Sequence, residues 1–183
     1  IRPTWESYFP QPGDCVLDMD PGAAFGTGGH ATTRLCLNTL DRLLPCRTLL
    51  DVGTGSGVLA IAAAKLGVSR IRAIDNDETA VEVARENLAT NSVWDRVVAD
   101  ATPLSQLTET YDVVVANIIA PVLQRLAEDL VSCMAQNGML IMSGILVEET
   151  DAVSEHFGQR GLLERERSIE NGWSCLLMER KKI

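Results

Sequence analysis

From residue 48 onward, the chain alternates between two patterns of apolar and polar residues. Short apolar runs have the length of buried strands, and they occupy residues 48–52, 70–74, 96–99, 111–116 and 139–142. Between several of these runs, apolar side chains recur at helical spacing, as at Val81, Ala84 and Leu88. The alternation is typical of a parallel sheet covered by helices.

The C-terminal part of the chain carries a different pattern. A helix is predicted over residues 147–159, and two strand-like segments follow at 162–167 and 173–179, separated by Asn171 and Gly172. Both of these residues tolerate positive φ, so the pair favours a tight hairpin. We therefore predict an α/β sandwich, in which a mostly parallel seven-stranded sheet ends in an antiparallel C-terminal hairpin and carries helices on both faces.

One long helix is predicted after the fourth strand of this core. Pro121 favours its first turn, where the missing N–H is not needed, and Gly138 favours its end. Between them, Leu126 and Met134 lie at helical spacing and are expected to face inward.

The first 47 residues are less regular, and we expect them to form an N-terminal segment of the same domain as the core at 48–183. A strand over 15–19 and a helix over 31–44, capped near His30, flank a loop that is rich in glycine. Loops of this kind often close over ligands.

Composition and charge narrow the function classes. The chain has 183 residues and a net charge of -9, which argues against direct nucleic-acid binding and favours a basic protein partner. No apolar run approaches the ~18–20 residues of a membrane span and no secretory signal is seen, so we expect a cytoplasmic protein without a membrane anchor. Five scattered cysteines and two histidines disfavour a disulfide framework or a metal site.

The chemistry is concentrated in a glycine turn after the first strand of the core. Gly53, Gly55 and Gly57 follow that strand in the spacing G-x-G-x-G, and a helix begins near Val58. Without side chains, the turn lets a ligand approach the backbone and the free N–H groups of the helix. Val58 stands where the dinucleotide motif G-x-G-x-x-G has its last glycine, so the turn suits a smaller nucleoside with an amino-acid tail. A purely structural glycine turn is the alternative.

Three polar residues end neighbouring strands, where open parallel sheets bind ligands. Asp75 ends the second strand, and its carboxylate can accept hydrogen bonds from a ribose diol. Asp100 ends the third strand and can accept a hydrogen bond from an adenine amino group. Asn117 ends the fourth strand, and its side-chain carbonyl can hold a substrate amine with the lone pair towards an electrophile. Helix capping by Asp75, a loop-start role for Asp100 and a turn role for Asn117 remain alternatives.

Together these motifs resemble the class I S-adenosylmethionine-dependent methyltransferases, which have a Rossmann-like methyltransferase sandwich. Within that class, the stretch LDMDPGAAFGTGGHATT at 17–33 and the segment NIIA at 117–120 are similar to the PrmA family, the methyltransferases of large-subunit ribosomal protein eleven. The resemblance implies S-adenosylmethionine as cofactor. The residues that match the family's cofactor contacts are Thr32, Gly53, Asp75 and Asn117. The loop beside the cofactor contains Phe25 and Thr27.

The sequence also departs from this family. Gly29 and Ala31 stand where members usually carry Thr and Pro, and Ile119 replaces a frequent Leu. Members normally carry an N-terminal substrate-recognition domain before this region. We expect residues 1–183 to form a single methyltransferase domain without it.

The resemblance implies methyl transfer to amines of a ribosomal protein, either lysine side chains or the N-terminal amine, with protein eleven as the expected substrate. Asn117 is the candidate for orienting the amine. His30 is a candidate base, although a helix-start role suits it equally. Other hypotheses are methylation of a different lysine-bearing protein and a non-catalytic cofactor-binding fragment. A nucleic-acid amino-methyltransferase would carry an aromatic residue where Ala120 stands.

Overall fold

The computed structural model describes residues 1–20 and 28–181, and these fold around one large sheet. The strands in this part of the chain are β1 (Arg2–Pro3), β2 (Asp18–Met19), β3 (Thr48–Val52), β4 (Arg70–Ile74), β5 (Val97–Asp100), β6 (Tyr111–Asn117), β7 (Met134–Leu146), β8 (Leu162–Glu170) and β9 (Trp173–Arg180). The α-helices are α1 (Ala31–Leu43), α2 (Val58–Lys65), α3 (Glu78–Thr90), α4 (Ala120–Arg125), α5 (Ala127–Ser132) and α6 (Thr150–Gly158). Short 3-10 turns lie at Leu104–Gln106 and Val147–Glu149.

The large sheet has seven strands in the order β5-β4-β3-β6-β7-β9-β8. The strands from β5 to β7 are parallel, whereas β9 is antiparallel to both β7 and β8. Asn171 and Gly172 form the hairpin turn between β8 and β9, with φ values of 50° and 80°. The predicted fold class is therefore confirmed, including the antiparallel ending.

Both faces of the sheet are buried, because neighbouring residues of each strand point to opposite sides. In β3, Leu49 packs into the cluster that contains α1, α2 and α3, whereas Leu50 packs into the cluster that contains α4, α5 and α6. Neither leucine is exposed to solvent. This two-sided burial explains why the strands appear in the sequence as continuous apolar runs.

The prediction of one long helix from Pro121 to Gly138 is wrong. Two short helices, α4 and α5, stand in its place, and Met134 begins β7 in register with Tyr111. The guanidinium of Arg180 in β9 donates to the carbonyl oxygen of Val131 in α5 and, at 3.1 Å, to that of Met134 at the start of β7. Because that contact joins residues 46 positions apart, local spacing gives no sign of it.

The N-terminal segment is only partly regular. The strand predicted over 15–19 is shortened to β2, which pairs in parallel with β1. Helix α1 begins at Ala31 directly after the N-cap His30, as predicted. No helix in the described ranges is long and apolar enough to cross a membrane.

Candidate functional site

A cleft opens at the carboxyl ends of the parallel strands β3, β4, β5 and β6. Its volume is about 390 Å³, which is within the usual range for small-molecule sites. Of the predicted site residues, Gly53 and Asp75 line it. Its apolar walls include Val52, Ile74, Leu104, Ile118, Val122 and Leu126. The cleft therefore lies where open parallel sheets bind ligands, and it combines apolar walls with the charged side chains of Asp75, Arg125 and Asp129.

The glycine turn after β3 requires glycine for conformational and steric reasons. Gly53, Gly55 and Gly57 have φ values of 72°, 54° and 83°, which other residues rarely adopt. A Cβ atom on Gly53 would lie 2.6 Å from Cγ2 of Ile118, across the cleft wall. The turn is held by the carbonyl oxygen of Ile74, which accepts from the backbone N–H of Gly53 at 2.9 Å.

Asp75 is tied to this turn by a direct hydrogen bond. Its Oδ2 accepts from the backbone N–H of Gly55 at 2.9 Å, and its Oδ1 accepts from the N–H of Asp77 at 3.1 Å. Asp77 is the residue that caps α3, because its side chain accepts from the N–H of Thr79 at 2.9 Å. A carboxylate has about four acceptor positions, so both oxygens of Asp75 keep the capacity to accept further hydrogen bonds.

Asp100 is engaged by neighbouring side chains and is not among the residues that line the cleft. It forms an ion pair with Arg72 at 3.0 Å, and it accepts from the backbone N–H of Thr102 at 2.9 Å. Burial opposes ionisation of Asp100, but the hydrogen bonds from Thr102 and Arg72 outweigh it and lower the pKa of this carboxyl. Its position at the end of β5 is as predicted, while most of its hydrogen-bonding capacity is already used.

Asn117 is the last residue of β6, at the same edge of the sheet. It is in register with Ser143 of β7, and the next residue, Ile118, donates its N–H to the carbonyl oxygen of Ser143 at 3.1 Å. Ile118 then lines the cleft. The segment after β6 therefore lies between the cleft and the end of β7.

The N-terminus of α1 reaches this edge from the other side. The Nδ1 atom of His30 accepts from the backbone N–H of Thr32 at 3.4 Å, and the His30 ring packs edge-on against Trp173 at 5.1 Å. Trp173 pairs with Leu146, the last residue of β7. Thr32 is only 2 % exposed. Two predicted loop residues, Phe25 and Thr27, lie outside the described residues.

A buried carboxyl group beneath the glycine turn is absent from the predicted site. Asp51 is 1 % exposed, and its Oδ2 accepts from the hydroxyl of Thr54 at 2.7 Å. Burial raises the pKa of Asp51 to about 7, although the hydrogen bond from Thr54 partly opposes this. The sequence signal was an acidic residue inside an apolar run, which marks a buried titratable group.

Asn87 of α3 is a second residue that the sequence interpretation missed. Its side chain donates to the carbonyl oxygen of Ser56 at 3.0 Å and accepts from the backbone N–H of Asp20 at 3.1 Å. It thereby joins the glycine turn to the segment that leads into residues 21–27. An available signal was its position on the helix face that contains Ala80 and Ala84, because an amide there must find buried partners.

Comparison with known proteins identifies the family. The family model "Ribosomal protein L11 methyltransferase (PrmA)" matches residues 1–181. The chain is 51% identical over 179 residues to the ribosomal protein L11 methyltransferase of Geobacter metallireducens, covering 98% of this chain and 59% of that protein. The corresponding protein of Pelobacter propionicus is 48% identical over 186 residues, covering 98% and 60%. The chain therefore spans about three fifths of the length of these curated relatives.

A solved structure gives the same result. The crystal structure of the ribosomal protein L11 methylase from Lactobacillus delbrueckii subsp. bulgaricus superposes with a TM-score of 0.91 at 33% identity. The match covers 98% of this chain and 93% of that one. The resemblance inferred from the sequence motifs is thus confirmed, and the chain belongs to the family of ribosomal protein L11 methyltransferases.

Proposed function

We propose that this chain is the catalytic part of an S-adenosylmethionine-dependent protein methyltransferase that methylates amines of ribosomal protein L11. The acceptor amines are lysine side chains, the N-terminal amine, or both. The observation that carries the proposal is the placement of the Gly55–Asp75 pair and Asn117 at one edge of the sheet, beside an apolar cleft. Family membership supplies the substrate, since the relatives are named for ribosomal protein L11.

The residues of the cleft fit the cofactor. The oxygens of Asp75 keep acceptor capacity for the two hydroxyls of a ribose, and the missing side chain of Gly53 leaves the backbone approachable. Apolar side chains such as Leu104 and Ile118 provide walls for an adenine ring. Asp100, at the end of β5, keeps a proposed role as acceptor for the adenine amino group. Thr32, Gly55 and the loop residues Phe25 and Thr27 are proposed to complete the contacts.

When bound, S-adenosylmethionine supplies a methyl group on a positively charged sulfur, which is open to in-line attack by an amine. Asn117 is proposed to orient that amine, because its side-chain carbonyl can accept an N–H hydrogen bond and fix the direction of the lone pair. A lysine ammonium, with a pKa near 10.4, must first lose a proton. We assign this proton to water, since His30 is engaged with Thr32 and Trp173.

The charge of the chain supports a basic protein as the partner. A net charge of -9 attracts a lysine-rich protein over a distance and repels the phosphates of nucleic acid. We therefore propose a ribosomal protein substrate, no direct contact with nucleic acid and a cytoplasmic location. Methylation of a different lysine-bearing protein is the second candidate, because the same site chemistry serves any accessible amine.

Transfer of labelled methyl groups from S-adenosylmethionine tests the proposal. We expect label in purified ribosomal protein L11 and none in ribosomal RNA, with Asn117→Ala lowering kcat at least ~10-fold at saturating cofactor. Asn137→Ala is the matched control, because Asn137 is exposed near the other end of β7. Binding of S-adenosylhomocysteine without labelling of any protein would instead indicate a non-catalytic fragment. Labelling of another protein in place of L11 would favour the second candidate.

A further inference from the structure

Strand β7 contains an extra residue close to the site. On one side, Ser143 is in register with Asn117 of β6. On the other side, Met142 pairs with Leu176 and Ile145 pairs with Ser174, so β7 has one residue more than β9 between these pairs. Such an insertion is a β-bulge, which bends a strand locally and is common next to active sites.

Gly144 occupies this bulge with a φ of 81°, and it lies against the backbone that follows Asn117. A Cβ atom on Gly144 would be 2.6 Å from the carbonyl oxygen of Ile118 and 2.8 Å from its carbonyl carbon. Cβ contacts below 3.0 Å essentially never occur, so the Ile118 peptide would have to move by about 0.4 Å or more. A change of side-chain rotamer cannot relieve this contact, because the atoms belong to the backbone.

Gly53 lies beside the side chain of the same residue. A Cβ atom there would meet Cγ2 of Ile118 at 2.6 Å. Both glycines therefore leave space beside Ile118 that a Cβ atom would fill, Gly144 next to its backbone and Gly53 next to its side chain. Because Asn117 directly precedes Ile118, a shift of the Ile118 backbone would displace Asn117 as well.

We propose that Gly144 is a positioning residue for methyl transfer. Because Gly144 lacks a side chain, the backbone of Ile118 can lie where the preceding residue, Asn117, is able to orient the acceptor amine. The inference rests on the proposed function and adds a determinant of its geometry. Gly144 does not touch the reacting atoms. It acts through the backbone of Ile118, so its loss lowers the rate of transfer more than it lowers cofactor affinity.

Three variants separate this steric effect from simple strain. Gly144→Ala introduces a Cβ and also places alanine at a positive φ that it rarely adopts. Gly144→Asn introduces the Cβ in a residue that tolerates positive φ better, which favours a folded protein. Gly161→Ala is the control, because Gly161 has nearly the same φ of 82° but nothing within 4 Å of the added Cβ. We expect both Gly144 variants to lower kcat about 10-fold or more, while their Kd for S-adenosylhomocysteine rises by a smaller factor, since Ile118 also lines the cleft, and Gly161→Ala keeps the wild-type kcat.

A double-mutant cycle tests whether Gly144 acts through Asn117. In the Asn117→Ala background, the further loss of kcat caused by Gly144→Asn should be less than ~3-fold. Equal losses in both backgrounds, or a Gly144→Asn protein with wild-type kcat, would overturn the positioning role. If the wild-type chain labels no protein at all, the proposed function fails and this inference fails with it. The two failures are therefore distinguishable.

Discussion

The carboxylate of Asp75 accepts a hydrogen bond from the backbone N–H of Gly55 at 2.9 Å, so the segments that follow β3 and β4 are joined directly. The glycine turn and the acidic residue, which the sequence presents as separate motifs, are thus one structural unit. Asp75 also lines the cleft, together with apolar side chains and the charged residues Arg125 and Asp129. A neutral ligand with two hydroxyl donors suits such an acceptor better than an anion does.

Replacement of Asp75 tests this unit. Asp75→Asn keeps the size of the side chain but removes its charge and replaces one acceptor oxygen with a donor. We expect the Kd for S-adenosylhomocysteine to rise about 10- to 100-fold, as hydrogen bonds to a charged group contribute about 1.5–3 kcal/mol. Isothermal titration calorimetry measures the change. Asp77→Asn is the control, since asparagine also caps helices well, and an unchanged Kd in Asp75→Asn would refute the role of Asp75.

The buried carboxyl of Asp51 predicts how stability depends on pH. Burial raises the pKa of this carboxyl to about 7 in the folded chain, from its ordinary value of 3.8. Between about pH 4 and 7 the unfolded chain therefore loses this proton while the folded chain keeps it, and stability falls by about 1.4 kcal/mol per pH unit from this group alone. Its contribution is fully present below about pH 4 and is lost as the pH rises to about 7.

Asp51→Asn removes this titration. Urea unfolding at pH 5, 6 and 7 should show the free energy of unfolding of the variant rising relative to wild type by about 2–3 kcal/mol across the series. Asp41→Asn, at an exposed position of α1, provides the comparison. Parallel pH curves for wild type and Asp51→Asn would show that Asp51 is ionised in the folded protein.

The amide of Asn87 should contribute more to stability than other polar residues of α3. Asn87→Ala leaves the carbonyl of Ser56 and the N–H of Asp20 without these partners, so we expect the free energy of unfolding to fall by about 2–3 kcal/mol. Thr90→Ala removes an exposed hydrogen bond to Glu86 on the same helix and should cost less than about 0.5 kcal/mol. Equal effects of the two substitutions in urea unfolding would contradict the bridging role of Asn87.

We expect His30 to cap α1 and not to act as the base that removes a proton from the acceptor amine. Asparagine is also a good N-cap, so His30→Asn should keep kcat within about 3-fold and leave the pH dependence of kcat unchanged. His30→Ala, which removes the cap, should lower stability by about 1 kcal/mol. If kcat in His30→Asn instead fell more than ~100-fold and one limb of its pH profile disappeared, His30 would be the base.

The sequence predicts most of the fold because strands buried on both faces must be apolar throughout. For the same reason, β3, β4 and β6 appear with nearly correct limits, and Asn171 with Gly172 reveals the hairpin through the conformations they tolerate. The end of α5 was not predictable in this way. It is marked by Arg180, which lies far along the chain and donates to the carbonyl oxygens of Val131 and Met134.

The residues of the site divide in the same way: some are detectable from local sequence patterns, and others only from long-range contacts. Gly53 and Asp75 are detectable because each ends or follows a strand in a recognisable spacing. The ion pair between Arg72 and Asp100 depends on the register of β4 with β5, which no short motif specifies. The bulge at Gly144 could not be predicted for a similar reason. A glycine in a strand often marks a bulge, but what its missing side chain makes room for depends on the neighbouring backbone.

The contacts of α1 with β8 have a consequence for the order in which the chain folds. Arg34 of α1 donates to Glu170 of β8 at 2.9 Å, across 136 positions of sequence, and Arg42 pairs with Glu166 of the same strand. Helix α1, which presents Thr32, is therefore synthesised before β8, and it can form these contacts only after that strand has been made. Such non-local contacts slow folding, and they make completion of this edge of the sheet a late event in the biogenesis of the domain.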